Sequence, residues 1–176
     1  MLTLSHLRKP PKVYLLLVSI ITAVAGIDQI SKTYIVRSLK LYESTVVIGH
    51  FFSLTHTRNP GAAFGLLAEE GGSFRIYFFL GISIIALFFL IYYFIMTPAE
   101  ETLSLVALSL IMGGAVGNFV DRIQKGEVID FLDFYIGRYH WWIFNLADSA
   151  ITIGISILIL QTLFKKSGSD ALHINL

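Results

Sequence analysis

Apolar residues in this chain collect into long runs rather than into the interrupted stripes of a soluble domain. Four runs, 13–32, 74–96, 103–120 and 141–164, approach the ~20 residues an α-helix needs to cross a bilayer. The second is the cleanest, with no charge between Arg75 and Thr97. The first carries Asp28 and Lys32 toward its far end, the third is short and glycine-rich, and the fourth has Asp148 near its start. Tyr92, Tyr93, Trp141 and Trp142 fall where an aromatic belt would meet the membrane surfaces. Between the first two runs, segment 33–73 changes period. Residues 45–48, then Gly49-His50, then 51–55 read as two short strands about a turn. Arg58-Asn59-Pro60-Gly61 is a further turn signal, and residues 69–72 close the loop. The pattern predicts a mainly α membrane protein: a four-transmembrane-helix bundle with a small extramembrane β-rich cradle in the first outer loop. Residues 1–166 form a single domain on this reading, and the tail, 167–176, has little reason to be ordered.

Composition agrees with the pattern. The 176 residues are 55% hydrophobic and 14% charged, where soluble domains carry about 25% charge. A net charge of +1 gives no electrostatic footprint for nucleic acid. The absence of cysteine excludes disulfides, thiolate metal sites and a cysteine nucleophile. A weaker reading of the first run is a signal peptide, because Arg8, Lys9 and Lys12 precede an apolar stretch ending Ala23-Val24-Ala25-Gly26. Charge orients the spans poorly. Lys32, Arg37, Lys40, Arg58, Arg75, Arg122, Lys125 and Arg138 all fall on the side opposite the termini, so a plain count points the termini outward. The greater weight of the first helix favours termini in the cytoplasm.

Ionisable groups near hydrocarbon are costly and mark function. Asp130, in Val128-Ile-Asp-Phe-Leu-Asp-Phe134, and Asp148, in Phe144-Asn-Leu-Ala-Asp-Ser149, are the leading candidates. Two converging carboxyls suffice to activate water at a peptide carbonyl, one as base and one as acid. Apolar neighbours around Asp130 would raise its pKa by desolvation. Asp133, in the same expected loop, reads as a solvated surface acid, and Asp121 as the ion-pair partner of adjacent Arg122. Asn145 and Asp148, three apart at the start of the fourth run, resemble a capping arrangement. Gly113 and Gly117 have the spacing of close helix packing. Asn118 and Arg122 share one helical face beyond them, and a buried Asn needs a partner. Asp28 and Lys32 have i,i+4 spacing, which reads as an ion pair at the membrane edge with both groups reaching toward water. Asn59 sits on a turn, to hold the loop or to contact substrate. Ser149 lacks a nearby histidine and a Gly-x-Ser-x-Gly setting. No His-Glu-x-x-His motif occurs, and His50, His56 and His140 are scattered. No metal and no cofactor are expected.

Five clusters, Asp28–Lys32, Thr57–Phe64, Gly113–Arg122, Gly126–Phe131 and Phe144–Ile151, in this order and spacing closely resemble the lipoprotein signal peptidase (signal peptidase II) family. The resemblance covers almost the whole chain from first to fourth span. It implies a bacterial integral-membrane aspartic peptidase that cuts prolipoproteins just before a diacylglyceryl-modified cysteine. It implies Asp130 and Asp148 as the catalytic pair, with Asn59, Asn118, Arg122 and Asn145 lining the site or binding substrate. Asp28, Lys32, Gly113 and Gly117 support the structure. The implied location is the inner membrane, with cytoplasmic termini and a site near the outer face. The implied partners are prolipoproteins and membrane lipids, and the expected state is a monomer. Two other classes stay open: a transporter or channel, since intramembrane acids also mark ion pathways, and a lipid-binding assembly factor without catalysis.

Overall fold

The computed structural model describes residues 9–61 and 73–172, with side chains through Phe164. Arg8, residues 62–64 of the second cluster, the loop closure at 69–72 and residues 173–176 lie outside the described residues. The element order is α1 (Pro11–Ser38), β1 (Ser44–Ile48), β2 (Phe52–Asn59), α2 (Ser73–Met96), α3 (Thr102–Lys125), β3 (Val128–Ile136), β4 (Tyr139–His140) and α4 (Leu146–Leu172). All four helices are long and apolar enough to span a membrane, matching the four runs. α1 starts with Pro11 at its first turn, where the missing N–H is no loss. It continues past Gly26 without a break and carries Asp28 and Lys32. α3 runs beyond the expected Val120 to Lys125 and stops at Gly126, which takes a left-handed φ of 74°. α4 continues to Leu172, past the expected end of the fourth span.

α3 is the central helix. In its most apolar stretch 61% of residues are buried, against 6% for α2, so α2 turns most of its surface to lipid. Small residues bring α3 close to its neighbours. A Cβ on Gly113 would meet Val24 of α1 at 2.8 Å, and one on Gly114 would collide with the Ala147 carbonyl oxygen of α4. Gly154 of α4 sits against the Ala107 carbonyl in turn. At the end of the bundle near the termini, Val13, Phe94, Leu105, Leu108 and Met112 form an apolar core. Lys9 closes that end. Its ammonium donates to Ile95 O at 2.9 Å and to Thr97 O, and lies over the Phe94 ring, where the last carbonyls of α2 favour a cation.

The opposite end carries a four-stranded antiparallel sheet in the order β1-β2-β3-β4. β1 and β2 are the two strands expected in the first loop, joined through His50 at a φ of 62°. The other half of the sheet comes from the segment between α3 and α4. Asp130 therefore lies on a central strand, paired with Thr57, and not in a wet loop. Asp133 is likewise buried, bonded to His140 at 2.8 Å and to Thr55 at 3.1 Å, which corrects its reading as a surface acid.

The close approach of α3 and α4 is testable. Gly114→Ala should force the Ala147 backbone away and cost about 1–3 kcal/mol. Unfolding followed in detergent micelles reads it, and an unchanged midpoint would contradict the described contact.

Candidate active site

The first turn of α4 sets one half of the site. Asn145 is the N-cap residue: its Oδ1 accepts the Asp148 N–H at 2.9 Å, and its own backbone N–H donates to Asp148 Oδ2 at 3.2 Å. That reciprocal pair is a capping box with Asp at the third helical position. The other half comes from β3, where Asp130 is only 3% exposed between buried Ile129 and Phe131. Asn145 Nδ2 donates to Asp130 Oδ1 at 2.6 Å. One asparagine thus touches both carboxylates, which brings residues of the sheet and of the bundle to a single point.

The remaining sequence candidates surround this point. Asn59, at the end of β2, donates Nδ2 to Asp130 Oδ2 at 3.0 Å, while its Oδ1 accepts the Gly61 N–H at 2.9 Å. It therefore holds its turn and contacts the site at once. Asn118 of α3 donates Nδ2 to Asp148 Oδ1 at 2.8 Å. Arg122 lies over the Phe79 ring and within electrostatic reach of Asp148 and Asp130. Asp148 and Ser149 line a groove of about 390 Å³ with Trp141, Trp142, Phe144, Thr152 and Ile153. The Ser149 hydroxyl donates to Asn145 O at 3.0 Å, a local helix bond.

Asp28 and Lys32 do not reach toward water. Both are 0% exposed, and Lys32 Nζ meets Asp28 Oδ2 at 2.7 Å, Asp121 Oδ2 at 2.8 Å and Asn118 Oδ1 at 2.9 Å. Asp121 also pairs with Lys125 at 2.8 Å, so its expected partnership with Arg122 gives way to two lysines. Gly117 makes room for this cluster, because a Cβ there would meet Asp28 Oδ2 at 2.7 Å. The spacing of Asn118, Asp121 and Lys125 was the available signal for Asp121. Its partner in α1 is distant in sequence and left none.

Burial and the neighbouring Asp148 charge push the Asp130 carboxyl up to about 7, against the opposing hydrogen bonds from Asn59 and Asn145. Asp130 is therefore partly protonated near neutrality. Water, a protonated acid and a second carboxyl held beside it are the requirements of general acid–base hydrolysis.

Four spanning helices, an extramembrane sheet and two carboxyls joined through Asn145, one buried and one half-buried, define an aspartic-type hydrolase of the membrane. Residues 20–164 match the model of the family described as Signal peptidase (SPase) II. The chain is 42% identical over 160 residues to the lipoprotein signal peptidase of Syntrophus aciditrophicus (strain SB), covering 91% of this chain and 98% of that protein. It is 45% identical over 163 residues to the lipoprotein signal peptidase of Francisella tularensis subsp. novicida (strain U112), covering 93% and 98%. A bacterial membrane enzyme solved by the in meso method at 2.3 Å superposes with a TM-score of 0.77 at 41% identity, over 86% of this chain and 90% of that one. The chain belongs to the signal peptidase II family. It is a multi-pass membrane aspartic peptidase.

The raised Asp130 gives a stability signature. Its folded-state pKa lies above its unfolded value, so its contribution is complete below the unfolded pKa and is lost as pH rises through about 7. The unfolding midpoint should fall as pH rises from about 4 to about 7 and level off above that, and each pH unit separating the folded from the unfolded value is worth about 1.4 kcal/mol. Asp130→Asn should flatten that slope. A wild-type slope persisting in the variant would assign it to another group.

Proposed function

We propose that the chain removes signal peptides from prolipoproteins by cutting before a diacylglyceryl-modified cysteine, with Asp130 and Asp148 as the catalytic pair. The observation that carries the pairing is the shared contact of both carboxylates with Asn145 and the first turn of α4. Asp148, ionised, takes a proton as water attacks the scissile carbonyl. Asp130 gives its proton to the carbonyl oxygen. In collapse, Asp148 protonates the leaving amine and Asp130 recovers its proton, so both groups return to their starting states. Water is the nucleophile and no acyl-enzyme forms. Asn59, Asn118 and Asn145 orient the two carboxyls, and Arg122 supplies positive charge near the developing oxyanion.

The apolar groove beside Asp148 supports a lipid-bearing substrate. Burying acyl chains contributes about 0.8 kcal/mol per CH₂, enough for the lipid to position the peptide bond. Membrane lipids cover the exposed apolar faces of the helices, and the monomer contains every residue of the proposed site. The same reading puts the termini in the cytoplasm and the site at the outer face of the bacterial inner membrane. Its obstacle was the number of basic residues on the site's side. Lys32, Arg58, Arg75 and Lys125 are each within ion-pair distance of Asp28, Asp121 or Glu127, so these four charges have structural duties and weigh little in a topology count.

Purified Asp130→Asn and Asp148→Asn, assayed on a diacylglyceryl-modified precursor, should each lose at least about 100-fold in kcat. Mass spectrometry of the product should show a new N-terminus at the lipidated cysteine. Near-normal turnover in either variant removes that residue from the chemistry, and a different new N-terminus removes the cleavage rule.

A further inference from the structure

The buried charges Asp28, Lys32 and Asp121 take no direct part in the proposed acid–base exchange, yet they touch its supports at three places. Asp28 Oδ1 accepts the backbone N–H of Ala147 at 3.0 Å, and Ala147 immediately precedes Asp148. Asp121 Oδ2 accepts the backbone N–H of Ile129 at 3.3 Å, and Ile129 immediately precedes Asp130. Lys32 lies between the two acids and gives its third proton to Asn118 Oδ1. An ammonium has three donors and no acceptor, so these three oxygens satisfy it completely.

The bond to Asn118 also decides the direction of an amide. A lysine can only donate, so the Asn118 oxygen must face Lys32 and the Asn118 amide nitrogen must face away from it. That nitrogen donates to Asp148 Oδ1 at 2.8 Å. The same Asn118 oxygen accepts from Asn145 Nδ2 at 3.1 Å, and Asn145 Nδ2 reaches Asp130. With the Asn118 amide reversed, its nitrogen would confront the ammonium and the Asn145 amide, and its oxygen would confront the Asp148 carboxylate. Every one of those contacts would be repulsive.

We propose that Lys32, clamped between Asp28 and Asp121, is the positioning residue of the catalytic pair. It fixes the Asn118 amide and, through the two acids, the backbone just ahead of each aspartate. Its role depends on the Asp130–Asp148 reading above. Stability alone is a poor explanation for such a cluster, since apolar residues commonly replace a buried ion pair at no net cost. Apolar residues could not orient an amide. Lys32 also places a positive charge near Asp130, which favours its ionised form.

Two variants separate positioning from folding. Lys32→Met leaves two buried acids facing one remaining lysine, Lys125, and is the variant at risk of misfolding. Lys32→Met/Asp28→Asn removes one charge of each sign and keeps an oxygen for the Ala147 N–H. In the double variant, matched to wild type by its unfolding midpoint, kcat on a diacylglyceryl-modified precursor should fall roughly 10- to 100-fold. KM should change little, and the basic limb of the kcat–pH profile should move to higher pH. Wild-type turnover in the double variant would overturn the positioning role, as would a loss with an unmoved pH limb. A double variant that cannot fold, although balanced in charge, would also overturn it by showing that Lys32 serves structure. The two readings fail separately: active Asp130→Asn or Asp148→Asn enzyme removes the catalytic pair, whereas inactive aspartate variants beside a fully active double variant remove only the role of Lys32.

Discussion

A lysine with no exposure to solvent is the constraint on which this end of the molecule turns. Lys32 has to find acceptors for three protons inside the bundle, and it finds them on α1 and α3. Asp28 and Asp121, recruited for that purpose, have acceptor capacity left over. They apply it to the start of α4 and the start of β3. Four elements are thus registered on one charge. Removing one member of such a cluster typically costs about 3–5 kcal/mol, because the others are left buried and uncompensated. The cluster therefore tolerates few alternative arrangements, and Gly117 is part of that restriction because a side chain there would occupy the Asp28 position.

The site is consequently composite. Asp148 belongs to a membrane helix and Asp130 to a strand of the extramembrane sheet, and Asn145 joins them at the point where chain leaves one and enters the other. The sheet holds its half firmly. Asp130 is paired with Thr57 on β2, Asn59 bonds its carboxyl, and Thr57 Oγ1 donates to its carbonyl at 3.1 Å.

Some of this was legible in the sequence and some was not, for physical reasons. The helices were legible because spanning a bilayer demands long apolar runs, and the expected second span differs from α2 by a single residue at its start. The capping box was legible because its two residues are local. The end of α3 was not: the apolar run stops at Val120, but the helix continues to Lys125, and Asp121 turns inward to the lysines. β3 was hidden for a different reason. Residues 128–131 are all buried, and a strand covered on both faces shows no alternation of polar and apolar positions. The pair Asp28–Lys32 looks like a surface ion pair because its third partner, Asp121, is remote in sequence. Local spacing could supply the pair but not the reason for burying it.

The two ends of the bundle are chemically unlike, and that asymmetry suits the proposed reaction. Near the termini the helices meet through Val13, Phe94, Leu105, Leu108 and Met112, with Lys9 closing the end over the carbonyls of α2. At the other end they meet through carboxylates, amides and lysines. A signal peptide is apolar, but the peptide bond to be cut needs water, a proton donor and a proton acceptor. Those requirements can be met together only where the hydrocarbon stops. A pair placed deeper would lose its water and remain protonated. Mounting one acid on a helix start and the other on a docked strand suits the proposed chemistry to that boundary.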